Sequence, residues 1–270
     1  MKNIGIIGFG NMGEAFASGL RGRFGGLGFG VVEKAVPRME AAKKGYGARD
    51  FTGDFRGLLD FADVTIIAVK PQDAEAVLRE LAPYSGGRKF AAIVAGKTLA
   101  FYQGYLQTPY LARFMPNLAA MYGKAAVGVC FPEAGGEARE FGAFRGEALE
   151  LAGAAGWALE VPEKLMPVVT GLSGSGIAYV FAFIHALALG GVKTGLAYDR
   201  ACAVALQVIE GAAAVVRGTG DSPANLIAKV CSPAGTTIAG IAALEEAAFS
   251  AAVMRAVEEA ALRAEELEGV

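Results

Sequence analysis

Six residues near the start, Gly8-Phe9-Gly10-Asn11-Met12-Gly13, restrict the possible folds of this chain more than any other feature. They close the apolar run Ile4–Gly8 and open the helical pattern Met12–Arg21. A glycine-rich turn between strand and helix suits a pyrophosphate. Gly8 allows the tight turn, Gly10 lets the backbone approach the anion, and Gly13 lets helix and strand pack closely. The first N–H groups of the helix, around Asn11 and Met12, then face the negative charge. In a chain holding 38 glycines a chance match is the competing reading. The strand before and the helix after decide for a dinucleotide site.

The rest of the first half repeats this unit. Phe29–Glu33, Val64–Val69, Ala91–Val94 and Leu111–Phe114 are short apolar runs of the kind found in buried parallel strands. Val36–Lys44, Ala74–Leu81 and Leu99–Leu106 carry helical spacing between them, and a strand at Ala125–Phe131 and a helix at Ala138–Gly153 complete the series. Alternating strands and helices predict a Rossmann-like, doubly wound parallel sheet. Beyond Trp157–Pro167 the strand signals stop, and three Ala-rich stretches follow at Ile177–Gly190, Asp199–Val216 and Leu244–Leu267. The expected organisation is a dinucleotide-binding domain over 1–164 and an all-α domain over 165–270.

Further cofactor residues follow from where strands end. Glu33 closes the second strand, where an acid hydrogen-bonds the adenosine ribose and repels a 2′-phosphate. Lys34 and Arg38 stand close enough to hold that phosphate instead, so both NAD and NADP remain open. Val69-Lys70-Pro71, Ala95-Gly96 and Asn117 end later strands on the same sheet edge, Asn117 with a short neutral amide suited to a nicotinamide or a substrate ring. Each of these loops is also an ordinary strand-end turn when taken alone.

Composition excludes several classes. Net charge is −2 with no basic run, which points away from nucleic acid. Cys130, Cys202 and Cys231 form no paired motif, and the single His185 supplies neither a metal site nor a nucleophilic triad. No metal is expected. Cysteine usage and the absence of a leader pattern lead to a cytoplasmic expectation. Leu165–Val192 holds no formal charge, yet its first half is rich in glycine, serine and proline, and its strongly apolar residues fall short of a membrane span. The reading is a buried or interface helix and no membrane partner. Helices apolar all round need more cover than one small helical domain gives, so a homodimer through the C-terminal helices is expected.

Two further stretches stand out: Gly171-Leu-Ser-Gly-Ser-Gly-Ile-Ala-Tyr179, a glycine turn feeding a helix, and Cys231-Ser-Pro-Ala-Gly-Thr-Thr-Ile-Ala-Gly240, a small-residue loop entering a helix. The second offers hydroxyls and free N–H groups to a carboxylate; alternatively Ser232 or Thr236 simply caps the helix. With GFGNMG, VKPQ at 69–72, AGKT at 95–98, RFMPN at 113–117 and GDSPANLIAKVCSPAGTTIAGIAALEEAAF at 220–249, the chain resembles pyrroline-5-carboxylate reductase over nearly its whole length. The resemblance implies hydride transfer from NADH or NADPH to the C=N carbon of 1-pyrroline-5-carboxylate, giving L-proline. It places the small-molecule substrate on Ser232, Gly235, Thr236 and Thr237, with Thr237 as proton donor or relay, and implies larger assemblies built from dimers. The motif GxxGxG at Gly171–Gly176 also fits hydroxyacid dehydrogenases, but Val180 stands where their catalytic lysine belongs.

The chain departs from that family at several positions. Ala234 replaces a loop glycine, Ile177 a proline, His185 and Leu189 two helix acids, and Ile227 a lysine. An alanine at 234 closes backbone angles open to glycine. These departures keep two alternatives in view: a reductase of another small cyclic imine, and a non-catalytic dinucleotide-binding protein.

Overall fold

The computed structural model describes residues 1–133 and 139–269. They form two compact units, Met1–Ser175 with Glu259–Val270, and Gly176–Glu258. Ala138, the expected start of the helix read over Ala138–Gly153, lies outside the described residues.

The first unit is one eight-stranded sheet. Its elements run β1 (Asn3–Ile7), α1 (Asn11–Arg23), β2 (Gly28–Val32), α2 (Val36–Tyr46), β3 (Arg49–Asp50), α3 (Phe55–Phe61), β4 (Val64–Ile67) and α4 (Ala74–Leu81). They continue with β5 (Phe90–Ala92), α5 (Leu99–Gln103), β6 (Leu111–Met115), β7 (Ala125–Cys130), α6 (Arg139–Ala154), β8 (Gly156–Glu160) and α7 (Met166–Val169). Strand order is β3-β2-β1-β4-β5-β6-β7-β8, parallel at every pair except the antiparallel β6–β7.

The strand sequences explain why both faces are covered. Successive residues point to opposite sides, so apolar runs feed two cores. Ile4, Ile6, Val31 and Ile66 pack with Phe16 and Leu20 of α1, Met39 of α2 and Phe144 and Leu151 of α6. Ile7, Val32, Ile67 and Phe90 pack with Leu58 of α3, Leu78 and Leu81 of α4 and Tyr102 of α5. Because β1 lies between β2 and β4, the chain crosses over at β1, and a crevice opens between the ends of β1 and β4.

Several features differ from the sequence expectation. β3, α3 and β8 were not anticipated, and β7 runs against its neighbour β6. The glycine turn expected at Gly171–Gly176 is instead a π-helical turn at Thr170–Gly174, so a continuous helical run extends over Glu163–Lys193. The helix expected over Leu244–Leu267 breaks at Ala247–Ala248, where Ala248 takes φ +55.

The second unit is helical: α8 (Gly176–Lys193), α9 (Tyr198–Thr219), α10 (Pro223–Val230), α11 (Thr236–Glu246) and the first half of α12 (Phe249–Glu268). α11 and α12 meet at 51°. α8 and α9 pack as a hairpin on small residues: a Cβ on Gly191 would sit 2.9 Å from the Cβ of Ala201. Their other faces are bare, with Phe181, Leu189, Val204 and Val208 about half exposed. The helical runs 163–193 and 198–219 are long and apolar enough to cross a membrane by length and composition alone. The count of apolar residues that argued against a span at Leu165–Val192 therefore does not exclude one.

Candidate active site

The crevice beside β1 and β4 is a cleft of about 660 Å³. Gly8, Gly10, Asn11, Met12, Glu33, Lys34, Arg38, Val69, Lys70 and Pro71 line it, so most of the residues expected to hold a cofactor come together here. Two of the three glycines are required by the local backbone. Gly8 has φ +90, a conformation that favours glycine, and a Cβ there would come within 2.7 Å of the Ala68 carbonyl oxygen. A Cβ on Gly13 would collide with the carbonyl oxygen of Gly8, so α1 can lie close against β1 only with glycine at that position. Gly10 is the N-cap of α1 without a side-chain cap, which leaves the first N–H groups of the helix available to an anion. Here a Cβ would meet only the flexible end of Arg38, 2.6 Å away.

Glu33 accepts the N–H of Phe9 at 2.7 Å and that of Ala35 at 2.8 Å, one on each carboxylate oxygen. It thereby ties the glycine turn to the end of β2 while still forming part of the cleft wall. Lys34 and Arg38 line the same wall, so acidic and basic groups meet at one end of the cleft.

Ala95, Gly96 and Asn117 are not among the residues lining this cleft. Ala95 and Gly96 follow β5, with Gly96 at φ +68. Asn117 has a local structural duty. Its Oδ1 accepts the N–H of Ala119, and its Nδ2 donates to the carbonyl and hydroxyl oxygens of Ser173 at 3.2 and 3.1 Å. Ser173 in turn donates to the Ala126 carbonyl at 2.9 Å, which pins the π-turn to β7. An asparagine at a strand end gave no signal of these partners, since they lie 56 residues away in sequence.

The loop at Ser232–Thr237 belongs to the helical unit. Gly235 is the N-cap of α11, and no side chain caps the helix. The reading of Ser232 or Thr236 as the cap is therefore set aside. Ser232 instead closes the turn: its carbonyl accepts the Gly235 N–H at 3.0 Å, and its hydroxyl fills the space a Cβ on Gly235 would need. Ala234 takes φ +59, so the loop keeps a glycine-type backbone although its side chain disfavours it. The N–H groups that open α11 remain free of side-chain acceptors, with the hydroxyls of Thr236 and Thr237 in the same turn. Such a terminus suits a small carboxylate. Among the described residues no His, Cys, Asp and Glu group is arranged to hold a metal ion.

Comparison with known proteins gives these two features a common context. Residues 163–267 match the family described as pyrroline-5-carboxylate reductase dimerisation, and residues 3–95 match the family described as NADP oxidoreductase, coenzyme F420-dependent. The pyrroline-5-carboxylate reductase of Aquifex aeolicus is 36% identical over 265 residues, covering 98% of this chain and 97% of the relative. That of Methanosarcina acetivorans is 38% identical over 270 residues, covering 98% of each. Among solved structures, the pyrroline-5-carboxylate reductase of Coxiella burnetii superposes with a TM-score of 0.89 at 28% identity, covering 98% of each chain. The Plasmodium falciparum pyrroline carboxylate reductase, solved with NADP bound, gives 0.84 at 25% identity, covering 99% of this chain and 98% of the other. Matched over 98% of its length by pyrroline-5-carboxylate reductases at 36% and 38% identity and carrying their dimerisation domain, the chain is an NAD(P)-dependent oxidoreductase that forms a homo-oligomer, and it belongs to the pyrroline-5-carboxylate reductase family.

Proposed function

We propose that this protein reduces 1-pyrroline-5-carboxylate to L-proline, with NADH or NADPH held in the cleft beside β1 and β4. The observation that carries the reading is the uncapped N-terminus of α11 at Gly235, a carboxylate site in the segment where the family resemblance is most specific. When bound, the reduced dinucleotide supplies a hydride, one hydrogen with two electrons, to the imine carbon. The ring nitrogen must then gain one proton as the C=N bond becomes C–N.

The residues of this chain do the rest. Gly8, Gly10, Asn11, Met12 and Gly13 receive the pyrophosphate, and Glu33 accepts from the ribose. Lys34 stands beside it, while Val69, Lys70, Pro71, Ala95, Gly96 and Asn117 shape the edge toward the reacting ring. Ser232 holds the loop turn, and the N–H groups after Gly235, with the Thr236 hydroxyl, bind the carboxylate. Thr237 hands the proton to nitrogen. A threonine hydroxyl is too weak an acid to act unaided, so it relays a proton from water or steadies an imine already protonated. Positioning and exclusion of water supply the remainder.

The division of labour follows a boundary near residue 164: cofactor work in 1–164, substrate binding and dimerisation in 165–270. The helices of the second part pair two copies, dimers build larger assemblies, and the protein works in the cytoplasm. Ala234 preserves the loop shape despite its methyl group, which favours a working enzyme over a cofactor-binding relic. The test is oxidation of NADH and of NADPH with 1-pyrroline-5-carboxylate at neutral pH, product identified as proline. Stoichiometric cofactor binding without turnover would overturn the catalytic reading, and turnover only on other cyclic imines would overturn the substrate.

A further inference from the structure

A buried charge cluster in the first unit takes no part in the chemistry above. Arg113, the third residue of β6, is 2% exposed, and its guanidinium faces two carboxylates. Nη1 donates to Glu163 at 3.1 Å, and Nη2 to Glu268 in the last turn of α12, whose side chain is 14% exposed. Burial works against the charge on Arg113, but hydrogen bonds and attraction from Glu268 and Glu163 outweigh it, and the guanidinium pKa is raised.

Both partners of Arg113 lead to the same stretch of chain. The Glu163 oxygen that accepts from Arg113 also accepts the N–H of Leu99, the first residue of α5, at 2.6 Å. Leu267, beside Glu268, lies against Gly96: a Cβ there would sit 3.3 Å from the Leu267 carbonyl oxygen and 3.5 Å from its Cβ. Gly96 holds φ +68, a conformation that a side chain would resist for its own reasons. The segment 95–98 is thus fixed at Gly96 by the end of α12 and at Leu99 by Glu163, and Arg113 grips both supports.

A buried guanidinium shared by two acids is weak evidence for stability, since apolar residues of similar size usually hold a core as well. An ionic clamp does, however, fix one geometry. We propose that the Arg113–Glu268 pair is a positioning device, setting the conformation of the 95–98 loop and through it the affinity of the first unit for its dinucleotide. The proposal rests on the reading of Ala95 and Gly96 as part of the cofactor edge.

Glu268→Gln keeps the shape of the side chain and removes its charge. In the full-length protein, NADH and NADPH affinities measured by fluorescence titration should fall about tenfold, the effect of losing a charge-assisted hydrogen bond that holds the loop. Amide exchange at Gly96–Leu99 should quicken, while the hydrogen-bonded middle of α1 keeps its protection. Glu268→Asp should recover part of the affinity, and Glu265→Gln, an exposed neighbour on the same helix, should leave it unchanged. If Glu268→Gln does not fold, Glu268→Asp carries the same test, with a smaller loss of affinity and the same local rise in exchange. Gly10→Val separates the two levels of the argument: unchanged binding in that variant removes the cofactor site itself. If Gly10→Val loses binding while the Glu268 variants bind as the parent does, the clamp alone is overturned.

Discussion

Ala234 is the residue where this chain pays most visibly for its loop. The left-handed region costs a residue bearing a Cβ roughly 1–2 kcal/mol, whereas glycine occupies it freely but has a more flexible unfolded chain, returning about 0.4–1 kcal/mol. Ala234→Gly should therefore stabilise the protein by about 0.5–1 kcal/mol, read as a higher urea midpoint with unchanged slope; a lower midpoint would show that the backbone at φ +59 is not strained. Three residues on, Thr237 has a sharper test. Thr237→Ala should lower kcat about tenfold with little change in cofactor affinity, and Thr236→Ala should act mainly on KM. Full kcat in Thr237→Ala would mean that the proton reaches nitrogen from water or from the substrate. At this scale the sequence was informative where chemistry dictates residue type. Gly8, Gly13 and Glu33 lie where spacing put them, because a Cβ at either glycine would strike backbone and an acid suits both the loop N–H groups and a ribose. Asn117 was less legible. Its partner Ser173 is brought close by a π-turn that no local pattern announces.

Among elements, β1, β2, β4, β5 and β6 were legible as apolar runs because strands covered on both faces need apolar residues at most positions, Thr65 and Arg113 being the buried polar exceptions. β8 was not. Its residues Gly156–Glu160 are intermediate or exposed, Trp157 is 64% exposed, and a half-covered edge strand carries no continuous apolar signal. β3 is two exposed residues, too short to leave any periodicity. The break between α11 and α12 was hidden for a different reason: alanine is a strong helix former, so Ala247 and Ala248 read as helix although the backbone turns there. The last residue of β7, Cys130, pairs with Arg113 of β6 and packs in the core cluster with Met166, and burial pushes its thiol up to about 12. Below that value the thiol stays protonated, and its 1% exposure bars reagents as well. Iodoacetamide at pH 8 should leave Cys130 unmodified in the native protein and label it only after denaturation, as mass spectrometry of the peptide would show. Native labelling at the rate of a free thiol would mean that the β6–β7 pair opens.

For the molecule as a whole, the decisive quantity is the apolar surface that one copy leaves bare. Phe181, Leu189, Val204, Leu206, Val208 and Val215 on α8 and α9 are each 49% to 55% exposed. A patch of that kind on a soluble chain marks an interface, and on a chain with two span-length helices it equally suits lipid. The family's dimerisation domain covers both helices, from residue 163 to 267, which accounts for a face shared between copies. At about 25 cal/mol per Å² of apolar area, covering the exposed half of each of these side chains contributes roughly 1 kcal/mol at an interface. Such a contribution is offset in part by the cost of association, so several of them must be covered together to hold a dimer. Light scattering in detergent-free buffer should therefore show a dimer or a multiple of it down to micromolar protein, with cofactor binding intact. Val204→Asp together with Val208→Asp should shift the protein to monomers or to aggregates with exposed α8 and α9, since a charge buried without a partner costs several kcal/mol. A stable, active monomer would overturn the dimer, and recovery of the parent protein only with membranes would show that lipid covers these helices instead of a second copy.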